Sequence, residues 1–362
     1  MKIAIFLPDF RKGGAQAMMI NLANHWAETG NIVTMVSGTS AGGWMEKISP
    51  AVQIVCGTGN GALSGFIPLC KALKKENPDI LFSALYHANI IASLAAFLTP
   101  GYATRVVLSE RNHLSSSLKD VPLLRRLLLY PLIVVSYRLA DRIIAISNGV
   151  RDNLINDFHL PAEKALTVYN PVITPGFAEK ISETAQHEWF QNRDYPVVIA
   201  AGRLVPQKDY PTLLMAFARL TEKNRARLLI LGTGYLELEL KDLCLRLGIA
   251  DRVAFIGQVD NPLAYMKQAD LFVLSSAWEG FGNVLVEALY CGLPIVATNC
   301  PSGPSEILEG GKYGTLVPPK DPDALARAIE AAILSPKPSP ETQKSRALDF
   351  AVPKIADQYQ RA

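Results

Sequence analysis

The strongest constraint on the fold is an alternation that runs through the 362-residue chain and then starts again. In the first half the short apolar runs are KIAIFL, NIVTMVSG, VQIVC, DILFS, RVVLSE, RIIAIS and ALTVYN. Segments with helical spacing lie between them. Met18, Met19, Leu22, Ala23 and Trp26 mark one such face, and Gly30 its C-terminal stop. After YNPVITPGF and a polar stretch at 178–195 the pattern resumes with PVVIAAGRL, the helical DYPTLLMAFARL, RLLILG and a helix over 235–247. RVAFIG, LFVLSS, PIVAT and GTLVPP complete it. Strands alternating with helices build parallel sheets covered on both faces, so the fold class is α/β with two sheets.

Length alone favours two domains. The reading is a Rossmann-like domain over residues 1–170 and a second over 171–345, joined where Pro171 and Pro175 stiffen the chain. A C-terminal helical stretch at 346–362, around Pro353, is expected to pack back on the first domain. With a net charge of +3, nothing argues for a nucleic-acid partner, and none is expected. Cys56, Cys70, Cys244, Cys291 and Cys300 form no C-x-x-C pair, which suits reduced thiols in a cytoplasmic protein. The opening KIAIFL, cut short by Pro8 and Asp9, reads as a buried strand and not as a signal segment. The greasiest stretch, VPLLRRLLLYPLIVVSYRLADR at 121–142, is too interrupted by Arg125, Arg126, Pro131 and Arg138 to span a bilayer. It reads first as a core helix burying Leu127, Leu128 and Leu129. The alternative is a helix resting a basic, leucine-rich face on anionic lipid.

Rossmann-like sheets bind ligands beyond the carboxyl ends of their strands, here in a cleft between the two domains. A dinucleotide fingerprint is lacking: in LGTGYLE the third glycine position holds Glu237. P-loop and H-E-x-x-H patterns are also missing from the sequence. Phosphate binding is better supported. In AGRLVPQKDY, Arg203 and Lys208 follow a strand end. GFGN then opens a helix with Val284, Leu285, Ala288 and Leu289 on its apolar face, and a helix start with glycines favours an anion. Two carboxylates, Glu279 and Glu287, bracket that start in WEGFGNVLVE. With Glu287 some six residues inside the helix, the two are offset by roughly 9 Å along its axis. They approach a ligand from one side at different depths, which suits hydroxyl acceptors and not an acid–base pair across a bond. A nucleotide sugar has hydroxyls on its hexose and its ribose, with a diphosphate between.

EGFGNVLVE resembles the E-x7-E motif of retaining glycosyltransferases of the GT-B fold, and the chain as a whole is similar to glycosyltransferase family 4. GGAQ, ISNGVRDNL, YNPV, AAGRLVPQKDYPTLLMAF, RVAFIGQVDN, ADLFVLSSAWEGFGNVLVEAL and CGLPIVAT carry the resemblance. It implies two Rossmann-like domains facing across a cleft, with Arg203 and Lys208 on the donor diphosphate. Glu287 would bind the ribose and Glu279 the donor sugar. Backbone groups around Phe281, Gly282, Asn283 and Val284 would meet the sugar or its phosphate. Gly257 would lie beside the base, and Gly13 and Gly14 would let the first loop approach the phosphates. UDP is the commoner nucleotide in such enzymes.

One departure from the family stands out. Many members carry a histidine at the end of a strand in the first domain, where this chain reads RVVLSERNHLSS. Either His113 serves from the loop, or Glu110, Arg111 and Asn112 replace it. SERN together with CPSGPSEIL resembles the branch acting on lipid-linked oligosaccharide or surface polysaccharide. The implied chemistry is retaining hexosyl transfer to a glycan or polyprenyl-linked acceptor. It needs no metal or cofactor, in keeping with the lack of an Asp-x-Asp flanked by apolar strand residues. Such an enzyme is expected in the cytoplasm, or peripheral on the inner face of the membrane. A nucleotide-sugar 2-epimerase and a non-catalytic nucleotide-sugar binder share the architecture and stand as alternatives.

Overall fold

The computed structural model describes residues 1–11, 13–99, 104–119, 121–220 and 225–362. Its apolar runs form two sheets. In the first, β1 (Lys2–Leu7), β2 (Ile32–Ser37), β3 (Gln53–Cys56), β4 (Ile80–Ala84), β5 (Arg105–Glu110), β6 (Arg142–Ala145) and β7 (Ala165–Thr167) lie in the order β3-β2-β1-β4-β5-β6-β7. In the second, β8 (Val197–Ala201), β9 (Arg227–Leu231), β10 (Val253–Gly257), β11 (Leu271–Leu274), β12 (Ile295–Thr298) and β13 (Thr315–Val317) lie in the order β10-β9-β8-β11-β12-β13. All strand pairings within these sheets are parallel. Central strands such as β4, β8, β11 and β12 are buried along their whole length, which is why they read as unbroken apolar runs without alternation.

The chain divides into two compact units, Met1–Val172 with Ala351–Ala362, and Ile173–Phe350. In the first, helix Gly14–Glu28 buries Met19, Leu22 and Trp26 against the sheet. Trp26 stacks on Phe82 at 5.0 Å, and Tyr359 of helix Val352–Arg361 closes the cluster at 6.0 Å from Phe82. The stretch expected as one helix over 346–362 is broken. Helix Pro340–Ala347 belongs to the second unit, and a new helix starts at Val352 with Pro353 in its first turn. Proline is tolerated there because a first-turn N–H has no intrahelical acceptor, and it disfavours helical geometry in the residue before it. In the second unit, Leu213, Leu214 and Phe217 of helix Tyr210–Ala218 pack on Val198, Leu228 and Leu271.

Strand order reverses once in each sheet, between β1 and β4 and between β8 and β11. Loops leaving the carboxyl ends of such neighbours diverge and leave a crevice, the usual place for a ligand in an open α/β sheet.

The leucine-rich segment corrects the core-helix reading. Helix Leu123–Leu139 buries only Ile133, Ser136 and Tyr137 among its residues. Leu124 is 75% exposed, Leu127 and Leu128 are 63% exposed, and Leu132 and Val135 are also open to solvent. Phe97, which ends the neighbouring helix Tyr86–Phe97, is exposed too. The helix buries one face only, and the leucines of its other faces stay exposed.

Candidate active site

The second unit gathers its site at the β8/β11 switch point. These strands are direct neighbours, with Phe272 beside Ile199. The loop after β8 carries Arg203 and the short turn Pro206–Lys208, and the loop after β11 carries Ser275 to Gly282. Lys208 Nζ therefore lies 2.5 Å from Glu279 Oε1, although 71 residues separate them. The two loops are laced together. Ser275 donates to the Lys208 carbonyl at 2.8 Å, Ala277 N–H to the Gln207 carbonyl at 2.9 Å, and the Gln207 amide to the Trp278 carbonyl at 3.1 Å.

Both members of the ion pair are largely buried, with side-chain exposures of 13% and 7%. Ser276 Oγ donates to the same carboxylate oxygen at 2.6 Å. Glu279 Oε2 has no hydrogen-bond partner among the described residues. An ammonium carries three donors, of which Glu279 takes one. One ligand can thus meet a cation through Lys208 and an acceptor through Glu279 Oε2 together. Arg203 differs from Lys208: it is exposed, held by Gln207 Oε1 at 3.4 Å.

Helix Asn283–Tyr290 begins beside this pair. Gly282 caps it at φ 100° with no side-chain cap, and a Cβ on Gly282 would stand 3.9 Å from Glu279 Cγ. The positive end of the helix dipole therefore points toward the ion pair's surroundings, and the helix's own first turn holds no acid. Phe281 packs its ring on Phe350 at 5.3 Å, and Val284 is half-buried. The turn is pressed against the 299–303 loop: a Cβ on Gly303, at φ +93°, would lie 1.8 Å from the Phe281 carbonyl oxygen. Only glycine fits there.

Glu287 is the fifth residue of this helix, one residue closer to its start than the sequence suggested. It is half-buried, and its carboxylate makes no hydrogen bond to any described residue. Burial pushes its carboxyl up to about 7, with the charges of Lys180 and Lys208 opposing the shift. Gly257 closes β10 at φ +79°, and its carbonyl accepts from Gly232 N–H at 2.7 Å.

In the first unit, Gly13 is the extended cap of helix Gly14–Glu28, and a Cβ on it would meet Gln16 Oε1 at 2.6 Å. Gln16 in turn donates to Asp9, which is ion-paired with Arg11 at 2.7 Å. Burial pushes the Asp9 carboxyl up, but these donors outweigh it and hold it below the usual range. Glu110 ends β5 and is fully buried. Arg111 is buried too, donating to Asn170 Oδ1 at 2.5 Å and lying 3.0 Å from the Met19 sulfur. His113 caps helix Leu114–Ser117, its Nδ1 accepting from Ser116 N–H at 3.3 Å. Burial lowers its pKa, which keeps the ring neutral at that cap.

Residues 12–174 match the family model described as Glycosyltransferase Family 4, and residues 182–348 match that described as Glycosyl transferases group 1. The chain is a group 1 glycosyltransferase of the GT-B fold. It is 28% identical over 291 residues, 77% of this chain and 74% of the relative, to a Campylobacter jejuni enzyme. That enzyme is the N-acetylgalactosamine-N,N'-diacetylbacillosaminyl-diphospho-undecaprenol 4-alpha-N-acetylgalactosaminyltransferase. Identity is also 28% to the lipopolysaccharide core biosynthesis glycosyltransferase LpsE of Rhizobium meliloti, covering 89% of this chain and 86% of LpsE. Among solved structures, Anabaena HepE in complex with UDP-glucose superposes with a TM-score of 0.77 at 22% identity, covering 100% of this chain and 98% of HepE.

Several residues of this glycosyltransferase's site carry no sequence motif. Ser276 sits three positions before Glu279, a spacing that was the only available signal. Lys180, whose charge acts on the distant Glu287, gives no local signal at all.

Glu287→Gln removes a carboxyl whose folded value, about 7, exceeds its ordinary 4.5. Such a group costs the folded state nothing below about 4.5 and progressively more as pH rises through 7, by up to about 3 kcal/mol. The variant is expected to melt higher than wild type at pH 8 and at the same temperature at pH 4.5. Equal melting temperatures at pH 8 contradict the burial argument.

Proposed function

We propose that this enzyme transfers a hexose-type sugar from a UDP-sugar to a lipid-linked saccharide, with retention of configuration and without a metal. The observation that carries the proposal is the Lys208–Glu279 pair, with Oε2 open beside an uncapped helix start. The UDP-glucose complex of HepE supports the donor class, and the name of the Campylobacter relative supports a diphospho-polyprenyl acceptor.

In this scheme Lys208 and the exposed Arg203 bind the donor diphosphate. Glu287 accepts from the ribose hydroxyls, and Glu279 Oε2 from a hydroxyl of the sugar. As the bond from C1 to the phosphate oxygen breaks, negative charge grows on the leaving diphosphate. Lys208, Arg203 and the helix end are placed before the reaction to stabilise that charge, the largest electrostatic contribution such a site offers. The acceptor hydroxyl attacks from the face the diphosphate leaves, and its proton passes to a diphosphate oxygen. No enzymic nucleophile enters the scheme.

The exposed leucines support a membrane-facing role for the first unit. Among the described residues no helix is long and apolar enough to cross a membrane. Leu124, Leu127, Leu128 and Leu132 beside Arg125 and Arg126 instead suit the surface of an anionic leaflet, where each basic residue contributes about 1 kcal/mol. A lipid-linked acceptor is then met at the inner face of the membrane.

Two measurements test these assignments. In calorimetry with UDP alone, Glu287→Ala is expected to weaken binding roughly tenfold or more, a loss of about 1.4 kcal/mol. Glu279→Ala is expected to leave UDP nearly intact and to weaken UDP-glucose. Equal losses for UDP in both variants contradict the division of labour. In sedimentation with anionic vesicles, Arg125→Glu with Arg126→Glu is expected to abolish binding at unchanged melting temperature. Wild-type protein that stays in the supernatant, or binding that survives the reversal, removes this helix from the membrane.

A further inference from the structure

Three groups that no motif marks meet behind the 110–113 loop. Tyr137, on the buried face of helix Leu123–Leu139, donates its hydroxyl to Glu110 Oε2 at 2.5 Å. Glu110 Oε1 accepts the backbone N–H groups of Arg111 at 2.9 Å and Asn112 at 3.0 Å. Asn89, buried in helix Tyr86–Phe97, donates to the Tyr137 oxygen at 2.8 Å and to the Ser109 carbonyl at 3.1 Å. Tyr137, Glu110 and Asn89 are each fully buried, so none reaches a ligand itself.

A carboxylate spending one oxygen on two consecutive backbone N–H groups fixes the chain direction at the end of β5. Arg111 starts from that fixed point. Its guanidinium is turned to Asn170 and Met19, and its buried Nε has no partner among the described residues. Burying a cation with so few acceptors is costly, so its own contacts do not impose its position. The carboxylate anchor imposes it, and Tyr137 holds the carboxylate.

We propose that Tyr137 is a positioning residue: through Glu110 it fixes the backbone of residues 110–112 and so the placement of Arg111 for sugar transfer. This rests on the reading of the chain as a sugar transferase whose 110–113 loop serves the reaction. The anchor is also sensitive to protons. Burial pushes the Glu110 carboxyl up to about 7, against the hydrogen bonds from Tyr137, Asn112 and Arg111 and the Arg111 charge. The groups around it are Tyr137 from one helix, Tyr86 electrostatically coupled to Tyr137, Arg111 next in the chain, and Tyr359, whose hydroxyl lies 3.4 Å from Ser109 Oγ. Protonation of Glu110 as pH falls through about 7 weakens its hold on the two N–H groups. Losing the Tyr137 hydroxyl, a donor to the charged form, moves that transition to higher pH.

The test compares wild type, Tyr137→Phe and Glu110→Gln in the full-length protein. Hydrogen exchange is read at the Arg111 and Asn112 amides across pH, corrected for intrinsic rates, beside UDP release from UDP-glucose with a saccharide acceptor and UDP binding by calorimetry. Tyr137→Phe is expected to speed exchange at these two amides about tenfold near pH 7 and to leave UDP binding unchanged. It should lower kcat roughly ten- to a hundredfold with little change in KM for the donor. The acid limb of both exchange protection and kcat should shift upward in Tyr137→Phe and flatten in Glu110→Gln. Unchanged exchange in Tyr137→Phe, or a fall in kcat with no movement of the limb, overturns the proposal. Wild-type protein that binds UDP but never transfers sugar sinks the transferase reading instead, and the exchange profile then decides the positioning role alone.

Discussion

The buried pair of Lys208 and Glu279 is the contact on which the rest of the second unit's candidate site depends. Taking an ammonium and a carboxylate out of water costs several kcal/mol each, and a lone buried charge is worse than a pair. Two loops with no regular structure across much of their length are therefore pinned to one arrangement: if either drifts, it strands a charge. Ser275, Ser276 and Gln207 add the hydrogen bonds that such a pair needs around it. The pair exists because β8 and β11 are neighbours, and they are neighbours because the strand order reverses between them. Topology, loop geometry and site chemistry are one causal chain here.

Much of this was legible in the residues. Unbroken apolar runs such as VVIAA and LFVL announced fully buried parallel strands, because covering both faces removes any alternation. The Gly-Phe-Gly-Asn turn announced a helix start with an unneutralised positive end. The partnership of Lys208 with Glu279 was not legible, since they lie 71 positions apart and only the switch point brings them together. The same limit hid Tyr137 and Asn89, which sit 27 and 20 or so positions from the β5 end they serve. The leucine-rich helix misled for a different reason. Hydrophobicity alone says that leucines want cover, and only the packed structure shows that Ile133 and Tyr137 are covered while Leu124 and Leu127 stay outside.

The two units put carboxyls to contrasting use. Glu279 keeps one oxygen open beside a cation, and Glu287 lies half-buried without a donor, pushed up to about 7. Both keep acceptor capacity that no described residue fills. Glu110 is also pushed up to about 7, but its oxygens are filled by backbone and by Tyr137, so it shapes a loop. The same burial raises both carboxyls, and the hydrogen-bond partners distinguish a ligand acceptor from an internal brace.

The account stands most directly on the coupling between Lys208 and Glu279 in holding the intact donor. A double-mutant cycle of Lys208→Met and Glu279→Gln, read as UDP-glucose affinity by calorimetry, measures it. Each single variant is expected to weaken binding, and the double variant to bind no worse than the weaker single one, a coupling of about 1–3 kcal/mol. Losses that simply add, or singles that bind UDP-glucose as wild type does, would show that the pair does not organise the donor site.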